Sequence, residues 1–204
     1  MPVFDRREFL AGGLALAACG GSPAEARPRQ AGGKAQALIA AARAQIGVTL
    51  AYDSGYSAIA YPGGDIARER GVCTDVVIRA YRDGLGLDLQ RQVHEDMARA
   101  FTAYPKRWGL TKPDRNIDHR RVPNLERFWE RAGARLALPS DPAGWQPGDV
   151  FTSLVAGNLP HTGIVSDRVS ANGSPMVIHN IGAGTQEEDV SVAQRLIGRF
   201  RWQV

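Results

Sequence analysis

Cysteine is almost absent: 204 residues hold two, Cys19 and Cys73. Two thiols exclude a multi-disulfide scaffold and a four-cysteine zinc site. Long apolar runs are missing as well. The longest, residues 10–18, falls well short of the roughly 20 residues a spanning helix needs. No excess of one charge marks the chain. Lys and Arg number 25 against 21 Asp and Glu, a net +4. The basic residues are scattered rather than striped, which argues against a nucleic-acid partner. Nor is there an internal repeat, or low complexity beyond residues 20–34. What remains is ordinary globular composition, 44% hydrophobic and 23% charged, at a length suited to one monomeric domain.

The chain opens with an address. Asp5-Arg6-Arg7-Glu8-Phe9-Leu10 is similar to a twin-arginine export signal, and Leu16-Ala17-Ala18-Cys19 resembles a bacterial lipobox. In a lipobox the cut precedes the cysteine, which then carries lipid. Residues 1–18 read as signal, Cys19 as a membrane anchor, and residues 19–34, rich in Gly, Pro, Ala and Arg, as a tether. Cleavage after Ala24-Glu25-Ala26 is the alternative, which would leave a soluble periplasmic protein. With Cys19 lipidated, Cys73 is the sole free thiol of an exported domain, which suggests a reactive role; a small buried apolar residue is the competing reading.

Residues 35–204 read as one α+β domain, helices first and antiparallel strands after. Helices are expected over 34–46, 74–83, 88–104 and 124–132. Residues 49–71 read as irregular loop. Strands are expected over 149–152, 163–166, 176–179 and 196–202, where Val and Ile alternate with turn residues.

Cys73 follows Gly71-Val72 and opens a helix. Free backbone N–H groups and the positive dipole end there favour thiolate and can stabilise an oxyanion. A thiol nucleophile needs a base, and the base an orienter. His94 reads as a surface residue and His119 as part of a charged loop. His161 opens a strand and His179 ends the next, so antiparallel pairing brings both imidazoles to one region; two unrelated strand-end histidines would look the same.

The order of a helix-start Cys, then His161-Thr162-Gly163-Ile164-Val165, then Ile178-His179 resembles the NlpC/P60 branch of papain-like cysteine hydrolases. Trp145-Gln146-Pro147-Gly148-Asp149-Val150 is similar to that family's turn into its first strand. More closely, the chain resembles the DUF1287 (YijF-like) family through Tyr61-Pro62-Gly63-Gly64-Asp65, Gly71-Val72-Cys73-Thr74-Asp75, Asn116-Ile117-Asp118-His119-Arg120-Arg121-Val122-Pro123-Asn124 and Val177-Ile178-His179-Asn180-Ile181-Gly182. The resemblance implies a papain-like fold with Cys73 as nucleophile, His161 as base and His179 as orienter, with Asn180 as the runner-up. Tyr52 is a candidate oxyanion donor, or a packed loop aromatic. The stretch between Cys73 and His161 is expected to form a lid or a wall of the cleft. Within it, Asp118-His119-Arg120-Arg121 reads first as a solvated or internally paired loop; Arg120 or Arg121 clamping a substrate carboxylate is the functional alternative.

These readings point to an envelope hydrolase cutting an amide bond in peptidoglycan peptides, with no metal and no cofactor. Acyl amide or thioester chemistry on the same fold, and a non-catalytic envelope binding module, are the alternatives.

Overall fold

The computed structural model describes residues 29–189 and 195–204. The signal, the lipobox and Cys19 lie outside the described residues. Helices α1 (Gly33–Arg43), α2 (Cys73–Leu85), α3 (Leu89–Ala100) and α4 (Val122–Arg131) precede all of a six-stranded antiparallel sheet. Its strands are β3 (Arg135–Leu136), β4 (Val150–Val155), β5 (Leu159–Val169), β6 (Pro175–Asn180), β7 (Thr185–Glu188) and β8 (Arg195–Phe200), in the order β3-β8-β4-β5-β6-β7. Two-residue strands β1 (Ala51–Tyr52) and β2 (Arg70–Gly71) pair in parallel inside the loop expected to be irregular. This is an α+β architecture of mixed helices and antiparallel sheet.

The helices form where apolar residues recur at three- and four-residue spacing. Leu38, Ile39 and Ala42 of α1, and Val76, Val77, Ala80 and Tyr81 of α2, share one buried cluster with Leu125 and Trp129 of α4. Gly84 lets α1 and α2 close on each other, since a Cβ there would sit 2.6 Å from the Ala37 carbonyl oxygen. Gly86, left-handed at φ 68°, ends α2. Asp88 caps α3 by accepting the Gln90 N–H at 3.0 Å.

Strand alternation divides the sheet into two faces. Val150, Ile164, Ile178 and Phe200 face the helices; Phe151, Val165 and Val177 face away and cluster with Trp145 and Leu196. Leu196 joins the second face because the β4–β8 register slips between Thr152↔Gly198 and Ser153↔Leu196, inserting one extra residue.

Some sequence expectations are corrected. The tether ends early: Arg29 is already docked, its guanidinium donating to the Trp145 carbonyl, and α1 begins at Gly33. The third helix stops at Ala100 and continues as one 3-10 turn over Phe101–Ala103. Strands β3 and β7 are additions. Neither carries an apolar alternation; their pairing with β8 and β6 holds them in place.

Among the described residues no helix is long and apolar enough to cross a membrane.

Candidate active site

Cys73 is the first residue of α2. Val72 enters the helix extended, at φ −110° and ψ −178°, and the Asp75 carboxylate accepts its N–H at 2.7 Å. That contact is the acidic half of a capping box. It sets the thiol at the helix end where unpaired N–H groups collect. The parallel pairing of Tyr52 with Gly71 brings the Tyr52 hydroxyl into a hydrogen bond with the sulfur.

Opposing effects act on the thiol. Backbone N–H groups of Thr162 and Thr74, together with the Tyr52 hydroxyl, favour the thiolate. Burial works the other way and prevails: Cys73 is 3% exposed, and desolvation, reinforced by the nearby charge of Asp75, pushes its pKa up to about 11. The helix position had suggested a resting thiolate; burial makes the neutral thiol the form at neutral pH. Tyr52 is raised to about 12 by burial first and the adjacent sulfur second.

His161 and His179 come together. The β5–β6 pairing Ile164↔Ile178 brings both onto one side of the sheet. His161 Nε2 lies 2.7 Å from His179 Nδ1, with the rings 4.9 Å apart and nearly perpendicular. Gly163, between them in register, makes the room: a Cβ there would lie 2.8 Å from both His179 Cβ and Phe151 Cε1. His179 Nε2 in turn lies 2.8 Å from Glu188 Oε1 on β7.

This chain determines the tautomers. An ionised carboxylate only accepts, so His179 Nε2 carries the proton and Nδ1 is its acceptor. His161 Nε2 must then donate, and His161 Nδ1 holds the free lone pair. Burial first, then His179, lowers the His161 pKa to about 3; His179 is also lowered by burial, against an opposing pull from Glu188. The His161 ring is therefore neutral with a free Nδ1 lone pair, and as it stands a weak base, since burial disfavours the imidazolium.

Strand β5 lies between the sulfur and the imidazoles. The sulfur's N–H donor on that strand is Thr162, the residue after His161. No hydrogen bond joins the sulfur to either ring, and alternation turns His161 toward Phe151, away from the helix-facing side of Ile164. Asn180 has a different task. It donates to the Gly71 carbonyl at 3.0 Å and accepts from Gly182 N–H, bracing the loop before Cys73 rather than a histidine.

A cavity of about 320 Å³ opens beside Cys73, within the range of small-molecule sites. Tyr52, Ser54 and Pro160 line it with Trp108, Arg121 and Val122. The stretch between Cys73 and His161 thus supplies a wall of the cleft. Its charged run is not solvated: Asp118, His119 and Arg120 are buried. His94, expected at the surface, is half-buried with Nδ1 3.3 Å from Asp118.

Arg120 does not have a free fork for substrate. Its Nε and Nη2 reach the two Asp75 oxygens at 2.9 Å each, while Nη1 and Nη2 donate to the Gly55 and Asp53 carbonyls. The pair ties the cleft wall to the first turn of α2. Both arginines line the cavity, but the Arg121 guanidinium carbon lies 4.1 Å from the centre of the Trp108 ring and its fork is not spent on Asp75. Among the described residues no group of His, Cys, Asp and Glu side chains is arranged to hold a metal ion.

Two contributors escaped the sequence reading. Glu188 sits in the all-polar Thr185-Gln186-Glu187-Glu188, whose pattern carries no strand signal. Asp75 and Arg120 are 45 positions apart and meet only in the fold.

Residues 39–202 match the family model "Domain of unknown function (DUF1287)". The chain belongs to the DUF1287 family. A relative from Escherichia coli (strain K12), bearing the name "Uncharacterized protein YijF", is 51% identical over 168 residues, which cover 82% of each chain. Family membership carries no substrate with it, so the chemistry rests on the residues around Cys73.

Proposed function

We propose that this DUF1287 protein is an exported cysteine hydrolase of the NlpC/P60, papain-like kind, cleaving an amide bond in peptidoglycan peptides. The observation that carries the reading is the His161–His179–Glu188 hydrogen-bond chain, which ends one residue from the N–H that holds the Cys73 sulfur. Cys73 is the nucleophile and His161 the base. As substrate binds, His161 Nδ1 takes the thiol proton while sulfur attacks the amide carbonyl carbon. The Tyr52 hydroxyl donates to the developing oxyanion. The imidazolium then protonates the leaving amine, and water, deprotonated by the same ring, hydrolyses the thioester. His179 holds the ring in its working tautomer. Transfer demands that the His161 ring, which faces away from the helix layer, and the sulfur be brought together as substrate binds, since no hydrogen bond joins them in this structure. The resemblance of residues 5–10 to an export signal and of residues 16–19 to a lipobox supports anchoring through Cys19 on the periplasmic side of a membrane.

A second reading is a non-catalytic envelope module. The neutral thiol, raised to about 11, supports it. Incubating the purified chain with defined muropeptides and following cleavage by mass spectrometry separates the two. The hydrolase reading expects products from the wild type and none from Cys73→Ala. No turnover together with a Cys73 that resists iodoacetamide in the folded state leaves the binding module, and equal turnover by both removes Cys73 as the nucleophile.

A further inference from the structure

Arg120 and Arg121 are adjacent in sequence and opposite in circumstance. Arg120 spends its donors on Asp75 and two carbonyls. The Arg121 guanidinium donates to no acceptor among the described residues, and its Nη1 is buried without a partner. Asp114 and Asp118 attract it through space only. Its contact is the Trp108 ring, which holds the plane of the fork in place without using its N–H groups. It lines the same cavity as Cys73 and Tyr52.

A buried N–H without an acceptor is costly, and a cation partly withdrawn from water without a counter-ion more so. Such a group is explained by an anion that arrives with the ligand. A stacked planar fork presents two parallel N–H bonds, the pattern a carboxylate matches. The other cation in the wall, Arg120, is already paired with Asp75, so no second free cation is left for a more highly charged group.

We propose that Arg121 is the carboxylate-binding residue of the Cys73 cleft, so that the substrate carries a free carboxylate near the bond to be cut. The inference rests on Cys73 being the reactive centre, and the test keeps the two apart.

In the full chain carrying Cys73→Ala, thermal unfolding is followed with glutarate, neutral glutaramide or inorganic phosphate at matched ionic strength. Glutarate is expected to raise the melting temperature and glutaramide not to. Arg121→Gln should abolish the shift and Arg121→Lys retain part of it. No shift with glutarate, an equal shift with glutaramide, or a shift that survives Arg121→Gln overturns the proposal; a larger shift with phosphate overturns the choice of carboxylate. Because the Arg121 guanidinium makes no hydrogen bond among the described residues, the Gln variant is expected to melt close to its parent without ligand.

With Cys73 present, alkylation by iodoacetate is compared with alkylation by iodoacetamide. The sulfur displaces iodide in both, and only the former carries the anion. The iodoacetate-to-iodoacetamide rate ratio should fall about tenfold in Arg121→Gln, as expected for one lost charge-assisted contact. An unchanged ratio with normal iodoacetamide labelling refutes Arg121 alone. Failure of both reagents refutes Cys73, and the glutarate measurement still judges Arg121.

Discussion

The two faces of the central sheet carry different burdens. The face toward the helices is aliphatic and aromatic at its centre, with Ile164 and Ile178 against α1 and α2, and Phe200 5.2 Å from Trp129, while Thr152 and Asn180 bond Glu126 and the Gly71 carbonyl. The other face begins in the same way, with Phe151, Val165 and Val177, and then turns polar through His161, His179 and Glu188. Burial on the first face supplies stability and needs no partner beyond good packing. Burial on the second lowers both histidine pKa values, and hydrogen bonds from ring to ring and ring to carboxylate offset the cost. One strand serves both faces because its side chains alternate, and its backbone N–H at Thr162 points to the sulfur from the helix layer.

If the division holds, substitutions on the two faces should separate activity from stability. The largest effect expected is on turnover. His161→Ala should lower muropeptide cleavage by about 10³-fold or more, with a small change in melting temperature. A deep loss of stability with no activity in the parent would instead make His161 a packing residue. Trp129→Ala, on the helix face, should cost about 3–5 kcal/mol in denaturant unfolding, while the folded fraction keeps its rate of Cys73 alkylation. A comparable loss awaits Asp75→Ala, about 3–5 kcal/mol, because it leaves Arg120 buried and unpaired; a double variant with Arg120→Met should recover part of it. Recovery failing altogether would show that the pair does more than neutralise charge.

Smaller effects sharpen the comparison. Glu188→Ala should reduce kcat about tenfold at unchanged KM, whereas Glu188→Gln, which still accepts from His179, should keep most of it. Identical losses in both would remove Glu188 from the tautomer argument. The pH dependence follows from burial. His119 and His161 have folded pKa values lowered to about 3, and His179 is lowered too. Above about pH 6.5 both folded and unfolded histidines are neutral and stability is complete. As pH falls below 6.5, the unfolded chain takes up protons that the folded chain refuses. His119 and His161 then each remove up to about 1.4 kcal/mol per pH unit, and His179 acts in the same direction. The melting temperature should therefore drop between pH 6.5 and 5. A flat profile over that interval would contradict the buried neutral rings.

Much of the site was legible because it depends on local order. A glycine, an extended residue and a cysteine before an amphipathic stretch place a thiol at a helix start whatever the rest of the chain does. His161 and His179 at opposite ends of consecutive strands meet once those strands pair, and the intervening Gly163 is the residue that lets them touch. Glu188 was not legible, since an edge strand of four polar residues has no hydrophobic period to betray it. The charged run at 118–121 was legible only in part: of the solvated and internally paired alternatives the second holds for Arg120, buried because Asp75 neutralises it from another element. The thiol misled most. Its helix position argues for thiolate, and position is visible in sequence; desolvation is not.

Sequence by itself determined the class of the domain, the helix that presents Cys73 and the strands that present the two histidines, because these follow from periodicity and short-range backbone preference. Tertiary structure alone decided that the thiol rests neutral, that Asn180 braces a loop while Glu188 ends the histidine chain, and that of two neighbouring arginines one is consumed and one is free. Those outcomes depend on burial and on partners far apart along the chain. Both are properties of how the layers pack rather than of any one segment.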